Sequence, residues 1–215
     1  MTGGAGFPKL YPILDAGYLP VAGRAEYLAR LVGELADAGV GILQYRNKRG
    51  GAAEVLADAR VMRAAAGERM LLVMNDWPRL AMEAGLDGVH VGQTDMSAAE
   101  ARAIVGPERV VGVSTHSEAQ LRAADAAPVD YVAIGPVYAT ATKEDTDPVV
   151  GLEGVRAARG LTRKPLVAIG GIAVEDAAAV WAAGADSVAV ISAVFGPVGD
   201  AAARAREFLR RASAT

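Results

Sequence analysis

Val40-Gly-Ile-Leu-Gln-Tyr-Arg-Asn-Lys48 opens as a short apolar run and closes on three polar side chains, Gln44, Arg46 and Lys48. On an extended segment residues two apart share a face, so these three converge at the end of a strand. The same pattern recurs along the chain. Apolar β-type runs are expected to begin near Leu10, Val40, Met70, Gly88, Arg109, Tyr131, Pro165 and Ser187. Between them lie Ala/Leu/Arg/Glu-rich stretches that read as helices, for example 24–38, 52–66, 117–126, 173–183 and 200–213. Such alternation indicates parallel strands, because a parallel crossover needs a dozen or more residues.

The residues that follow each run decide between a closed and an open sheet. The third run ends in Asn75 and Asp76, the fourth in Gln93 and Asp95, and the fifth in Ser114. The sixth leads to Thr140, Thr142 and Lys143, the seventh to Gly170-Gly171, the eighth to Ser192. With the second, seven of the eight strands deliver polar or glycine residues at their C-terminal ends. An open sheet concentrates such residues at one switch point, whereas a barrel gathers every strand end around one mouth. The expected fold is therefore α/β: one domain spanning 1–215, a (β/α)8 TIM barrel with its active site at the C-terminal ends of the strands. A weak repeat agrees with it: Ala84-Gly-Leu-Asp-Gly-Val89 and Ala183-Gly-Ala-Asp-Ser-Val188 share Ala-Gly-x-Asp-x-Val, with Ala38-Gly39-Val40 a shorter echo. Glycine there ends a helix and leads directly into the next strand.

Composition narrows the chemistry. The 215 residues carry 22 basic and 25 acidic side chains, a formal charge of −3, which gives no electrostatic reason to expect nucleic-acid binding. Zero cysteines exclude disulfides, thiolate metal sites and a cysteine nucleophile, and two histidines, His90 and His116, argue against a multi-histidine zinc site. No apolar run is long enough to span a bilayer and no secretory signal is visible, so the expected setting is the cytoplasm, away from membranes.

Several groups could carry chemistry. Gln44, Arg46 and Lys48 suit a phosphate cradle, or, with Arg49, a solvated basic turn. Asp76 and Asp95 end adjacent strands and could hold Mg²⁺ together with substrate phosphate oxygens. The competing reading is a pair of helix caps, since Asp76 precedes Trp77-Pro78 and Asp95 precedes Ser97. Ile169-Gly-Gly-Ile172 and Val190-Ile-Ser192 fall where barrels often build a phosphate site from backbone N–H groups, and glycine lets a phosphate approach closely. The long segment from Gly135 to Pro148 reads as a lid or as mobile surface. Ser114-Thr-His116 lacks an orienting acid for nucleophilic catalysis, and His90, between Val89 and Val91, reads as a barrel-lining or packed histidine rather than a catalytic base.

Taken in order, these motifs resemble the thiamine-phosphate synthase family: Gln44-Tyr-Arg-Asn-Lys48, Asn75-Asp76, Gly88-Val-His-Val-Gly-Gln-Thr-Asp95, Gly112-Val-Ser-Thr-His116, Gly135-Pro-Val-Tyr138, Thr140-Ala-Thr-Lys143, Ile169-Gly-Gly-Ile172 and Val190-Ile-Ser192. The resemblance implies a (β/α)8 barrel that joins a hydroxymethylpyrimidine diphosphate to a thiazole phosphate, releasing diphosphate with Mg²⁺. It further implies that Gln44, Tyr45, Arg46, Asn47 and Lys48, with Asn75, Ser114 and Lys143, hold the pyrimidine diphosphate. Asp76 and Asp95 correspond to the metal ligands, and Thr140, Ala141, Thr142, Gly171, Ile191 and Ser192 to the thiazole-phosphate contacts. Arg46, Lys48, Lys143 and Ser114 are the expected catalytic residues. Asn47 departs from the glutamate common at its position, as does Thr94, which bears on local geometry.

The residue types fit that chemistry in their own right. A departing diphosphate needs positive charge around it, and a thiazole nitrogen with a free lone pair needs no general base. Two alternatives stand beside this reading: a thiazole tautomerase-like paralogue, and a non-catalytic phosphate-ligand binding or regulatory barrel. Neither needs paired aspartates opposite a basic cluster. The sequence leaves oligomeric state open.

Overall fold

Eight parallel strands close into a barrel in sequence order in a computed structural model, which describes residues 6–140, 148–196 and 200–213. They are β1 (Leu10–Asp15), β2 (Ile42–Arg46), β3 (Leu71–Asn75), β4 (Gly88–Val91), β5 (Val110–Thr115), β6 (Tyr131–Ile134), β7 (Leu166–Ile169) and β8 (Ser187–Val190). Each starts within two residues of its expected position. The ring closes where β1 pairs with β8, Pro12 opposite Val190. β1 also ends in a polar residue, Asp15, so the mouth receives such a residue from the one strand the sequence reading left out.

The helices are α1 (Arg24–Asp37), α2 (Ala52–Ala66), α3 (Pro78–Glu83), α4 (Ala98–Val105), α5 (Glu118–Ala126), α6 (Gly151–Leu161), α7 (Ala177–Ala182), α8 (Ser192–Phe195) and α9 (Ala201–Ala212). α7 starts later than the expected 173, because Ala173–Asp176 form a turn closed by the Asp176 carboxylate on the Ala173 N–H at 3.2 Å. Ser97 caps α4 in a reciprocal box with Glu100.

Alternation along the strands sorts the core into two layers. Leu14, Leu43, Leu72, Val89, Val132 and Val188 point outward and pack against helix residues such as Leu28, Met62 and Phe208. Tyr11, Ile13, Ile42, Val73, Val110, Tyr131, Val167 and Ala189 form a separate buried cluster made of strand residues alone, which is the barrel interior. Phe7 seals its floor, with its ring 5.2 Å from that of Tyr131. Each large aliphatic side chain so buried contributes about 1.5–3 kcal/mol.

The Ala-Gly-x-Asp-x-Val repeat now has a physical cause. Gly85 and Gly184 adopt left-handed conformations, φ 68° and 109°, that turn the chain from helix into strand. The aspartate two residues later then staples the unit. Asp87 accepts from Leu72 N–H at 2.7 Å and Arg63 at 2.7 Å, and Asp186 from Leu166 N–H and Arg159, both at 2.8 Å. Asp130, before β6, repeats the arrangement with Val111 N–H and Arg102. Each staple ties an even strand to the strand before it and to the helix that leads into that earlier strand (α2, α4 and α6), so the barrel is built with a two-strand period. The ion pairs are partly exposed, and each is worth roughly 1 kcal/mol or less.

Candidate active site

The ends of β1 to β4 carry a charged sector. Arg46 and Asp15 are register partners on β2 and β1, and the guanidinium pairs with the Asp15 carboxylate, which also accepts from Gly17 N–H at 2.8 Å. Lys48 bonds Asp76 and lies 3.7 Å from Asp95. Asp76 is the non-glycine residue with a left-handed backbone among the described residues, φ 65°, and its N–H is bonded to the His90 carbonyl at 2.9 Å. That conformation turns its carboxylate over the mouth, where it accepts from the Asn75 amide, and leaves Trp77 to precede α3 at the cap position. The helix-cap reading of Asp76 therefore fails, because its carboxylate bonds side chains across the mouth. Such a backbone costs of order 1 kcal/mol or more and is held where surrounding contacts dictate it.

The two carboxylates behave as one acid–base unit. Burial pushes the Asp76 carboxyl up, reinforced by its hydrogen bond with Asp95. Burial opposes ionisation of Asp95 as well, but the bonds from Asp76, Gly92 N–H (2.8 Å) and Lys48 outweigh it and hold its carboxyl below the usual range. Two hard oxygen ligands with an ammonium lying across them match the donor chemistry of a small divalent cation. Among the described residues no group of three or more His, Cys, Asp or Glu is placed to hold a metal ion, and a cation on these two carboxylates would draw further ligands from substrate oxygens and water.

Behind this sector runs a hydrogen-bonded chain across the barrel interior. The Gln44 amide nitrogen donates to Tyr11 Oη at 3.0 Å, and Tyr11 Oη lies 2.9 Å from Tyr131 Oη. Tyr131 Oη lies 2.8 Å from His90 Nδ1, and His90 Nε2 lies 2.8 Å from Ser114 Oγ. Ser114 thus pairs with His90 rather than with His116, whose Nδ1 bonds the Gly135 carbonyl at 2.6 Å.

Tyr45 and Asn47 stand outside the mouth. Tyr45 points outward under α1 and α2, fully buried, and its hydroxyl donates to Asp58. Asp58 is itself forked by Arg24 (Nε to Oδ1 at 3.0 Å and Nη2 to Oδ2 at 2.6 Å). Asn47 donates to Tyr45 Oη at 3.1 Å and Glu54 at 2.8 Å, while its Oδ1 accepts from the N–H groups of Arg49 and Gly50. These two residues shape the turn that carries Arg46 and Lys48.

The opposite side of the mouth has a different character. A cavity of about 640 Å³ opens at the ends of β6, β7 and β8, lined among others by Thr140, Gly171, Ile191, Ser192, His116 and Tyr18. A Cβ on Gly171 (φ 65°) would lie 2.5 Å from the Ala139 carbonyl oxygen and 2.9 Å from Tyr138 Cβ. Glycine is thus required there for the approach of the β6 loop. Ala141, Thr142 and Lys143 lie outside the described residues, as does half of the segment read as a lid.

Asp15, Tyr11 and Tyr131 are members of these networks that sequence reasoning did not single out, while His90, read as barrel-lining or packed, joins them in that way. The available signal was strand parity: Tyr11 and Asp15 share the inward face of β1, and His90 lies opposite Asn75 in the β3–β4 register.

A family model described as thiamine monophosphate synthase matches residues 10–194. The chain is 50% identical over 210 residues to the thiamine-phosphate synthase of Koribacter versatilis, spanning 98% of each chain. It is 40% identical to that of Agrobacterium fabrum, over 87% of this chain and 86% of the other. Among solved structures, the thiamine phosphate pyrophosphorylase from Pyrococcus furiosus superposes with a TM-score of 0.84 at 30% identity, covering 96% of each chain. A 3-hexulose-6-phosphate synthase, at 22% identity and a TM-score of 0.65, shares the barrel fold. With the family match spanning all eight strands, this chain belongs to the thiamine monophosphate synthase family.

Proposed function

We propose that this protein condenses 4-amino-2-methyl-5-(diphosphooxymethyl)pyrimidine with 4-methyl-5-(2-phosphoethyl)thiazole, giving thiamine phosphate and diphosphate. The observation that carries this reading is the division of the barrel mouth. One sector sets Lys48 and Asn75 against the Asp76–Asp95 pair, Arg46 against Asp15 and Ser114 against His90, and the other offers a cavity edged by glycine backbone. A pyrimidine diphosphate needs cations and donors on its leaving group, and a thiazole phosphate needs shape and backbone N–H groups.

The bond between the pyrimidine methylene carbon and the diphosphate oxygen breaks, and the thiazole nitrogen lone pair forms the new C–N bond. No proton is transferred in that exchange, so the site requires no general base. Arg46 and Lys48 take up charge developing on the departing diphosphate, and Asn75 and Ser114 orient it. Asp76 and Asp95 would hold Mg²⁺, which when bound supplies further charge neutralisation to the diphosphate. Lys143, assigned by resemblance, adds a cation to the same leaving group. A tautomerase needs no such carboxylate pair, and a passive binder gains nothing from charges that act on a leaving group.

Incubating the purified protein with both substrates, with and without Mg²⁺, tests the reading. Thiamine phosphate and diphosphate should appear in equal amounts and only with the metal. Product formation in excess chelator would remove the metal from the account, and absence of product under all conditions would remove the activity.

A further inference from the structure

The buried chain linking Gln44 to Ser114 has a direction, and that direction assigns a role to three residues outside the assigned contact set. An amide nitrogen can only donate, so Gln44 Nε2 fixes the Tyr11 oxygen as its acceptor. Tyr11 is buried with Gln44 and Tyr131 as its side-chain partners, so a satisfied hydroxyl proton goes to Tyr131, and the same requirement sends the Tyr131 proton to His90 Nδ1. A histidine that accepts at Nδ1 and remains neutral carries its proton on Nε2, which faces Ser114 Oγ at 2.8 Å. Ser114 therefore accepts from His90, and its own hydroxyl proton is left to point away from the imidazole.

We propose that Tyr11, Tyr131 and His90 are positioning residues that lock Ser114 as a hydrogen-bond donor toward an acceptor atom of the pyrimidine diphosphate. The proposal rests on the function proposed above for the identity of that ligand, but not for the direction of the chain.

Packing leaves the chain little freedom. Tyr131 Oη sits between the Tyr11 and His90 rings, with centroids 5.9 Å and 5.5 Å from its own, and Phe7 closes the side nearer the barrel floor. The ring can lie there only because residue 112 is glycine: a Cβ on Gly112 would come within 2.0 Å of Tyr131 Cζ. Burial pushes both phenols upward, Tyr11 and Tyr131 alike, so they remain protonated donors. The chain thus joins β2, β1, β6, β4 and β5 through one set of oriented protons, with its open end at the mouth.

Nitrogen-15 NMR of the histidine-labelled protein at pH 8 reads the direction without any substrate. The chain contains two histidines, and His90→Gln assigns the signals by loss. The expected spectrum shows His90 protonated at Nε2 and bare at Nδ1. A proton on Nδ1 means that the chain runs the other way, with Ser114 donating to His90, and overturns the proposal. Tyr131→Phe should then release the tautomer and lower kcat/KM for the pyrimidine diphosphate about ten-fold, leaving KM for the thiazole phosphate within about two-fold. Ser114→Ala should cost about ten-fold alone and less than about two-fold on top of Tyr131→Phe, because both break one interaction. Additive losses, or a lowered Tm with unchanged kinetics, would show that the tyrosine is only a core residue. If the protein made no thiamine phosphate at all, the functional reading would fall while the spectrum still decided the direction.

Discussion

The two halves of the barrel mouth build their lining by opposite means. From β1 to β5 the side chains carry it: Arg46 with Asp15, Lys48 with Asp76 and Asp95, and Ser114 with His90 are paired before any ligand arrives. From β6 to β8 the backbone carries it: Gly170 and Gly171 hold left-handed conformations against Pro136, Tyr138 and Ala139, and the resulting cavity is edged by Ile191 and Ser192. In the first half a substitution changes charge in a rigid frame. In the second it changes the frame.

Asp76→Asn gives the largest expected effect that separates the halves. Asparagine tolerates the left-handed backbone, so Tm should stay within about 2 °C while turnover falls about 10²–10³-fold and Mn²⁺ binding is lost. Steady-state assays beside a thermal melt check both. Asp58→Asn is the charged-side exception, since it acts in the frame beneath the β2 turn. Weakening the buried partner of Arg24 and Tyr45 should cost about 3 kcal/mol, or roughly 6–12 °C in Tm. A Tm unchanged by this variant would mean that the cluster is not what fixes the turn.

Gly171→Val should cost about 2 kcal/mol in stability, because its side chain meets the β6 loop in a conformation that a β-branched residue resists. Denaturant unfolding at an unchanged midpoint would place Gly171 in the ligand path alone. The smallest effect is expected of Lys48→Met. Its ammonium lies across the two carboxylates, so removing it should tighten Mn²⁺ binding without substrate by about two- to five-fold. Calorimetry reads it, and weaker binding would show that Lys48 does not compete with the metal.

Legibility followed the same divide. Strand ends, the barrel and the Asp76–Asp95 pair were readable because apolar runs and polar terminators are local in sequence. The Asp87 and Asp186 staples were visible only as a repeat and the Asp130 staple not at all, since their function lies in contacts 15 to 28 residues away. The interior chain left no local mark: Tyr11 and Tyr131 are separated by 120 residues, and each reads alone as an aromatic in a strand. Tyr45 and Asn47, which the resemblance groups with the pyrimidine-diphosphate contacts, bond Asp58 and Glu54 under the β2 turn instead of lining the mouth. Period two puts them on the face opposite Gln44 and Arg46, but the family motif presents the five residues as one block. Asp15 followed by Ala16-Gly17 reads as a turn, and only its register with Arg46 makes it part of the site.

Crossed calorimetry tests the division of the mouth most directly. Mg²⁺-diphosphate and 4-methyl-5-(2-phosphoethyl)thiazole would each be titrated into Arg46→Ala and Gly171→Ala. Arg46→Ala should weaken the diphosphate by about ten-fold or more and leave the thiazole phosphate within about two-fold. Gly171→Ala should do the reverse. Equal losses for both ligands in either variant would contradict two separate sectors, and would mean that the charged and glycine-lined halves form one undivided site.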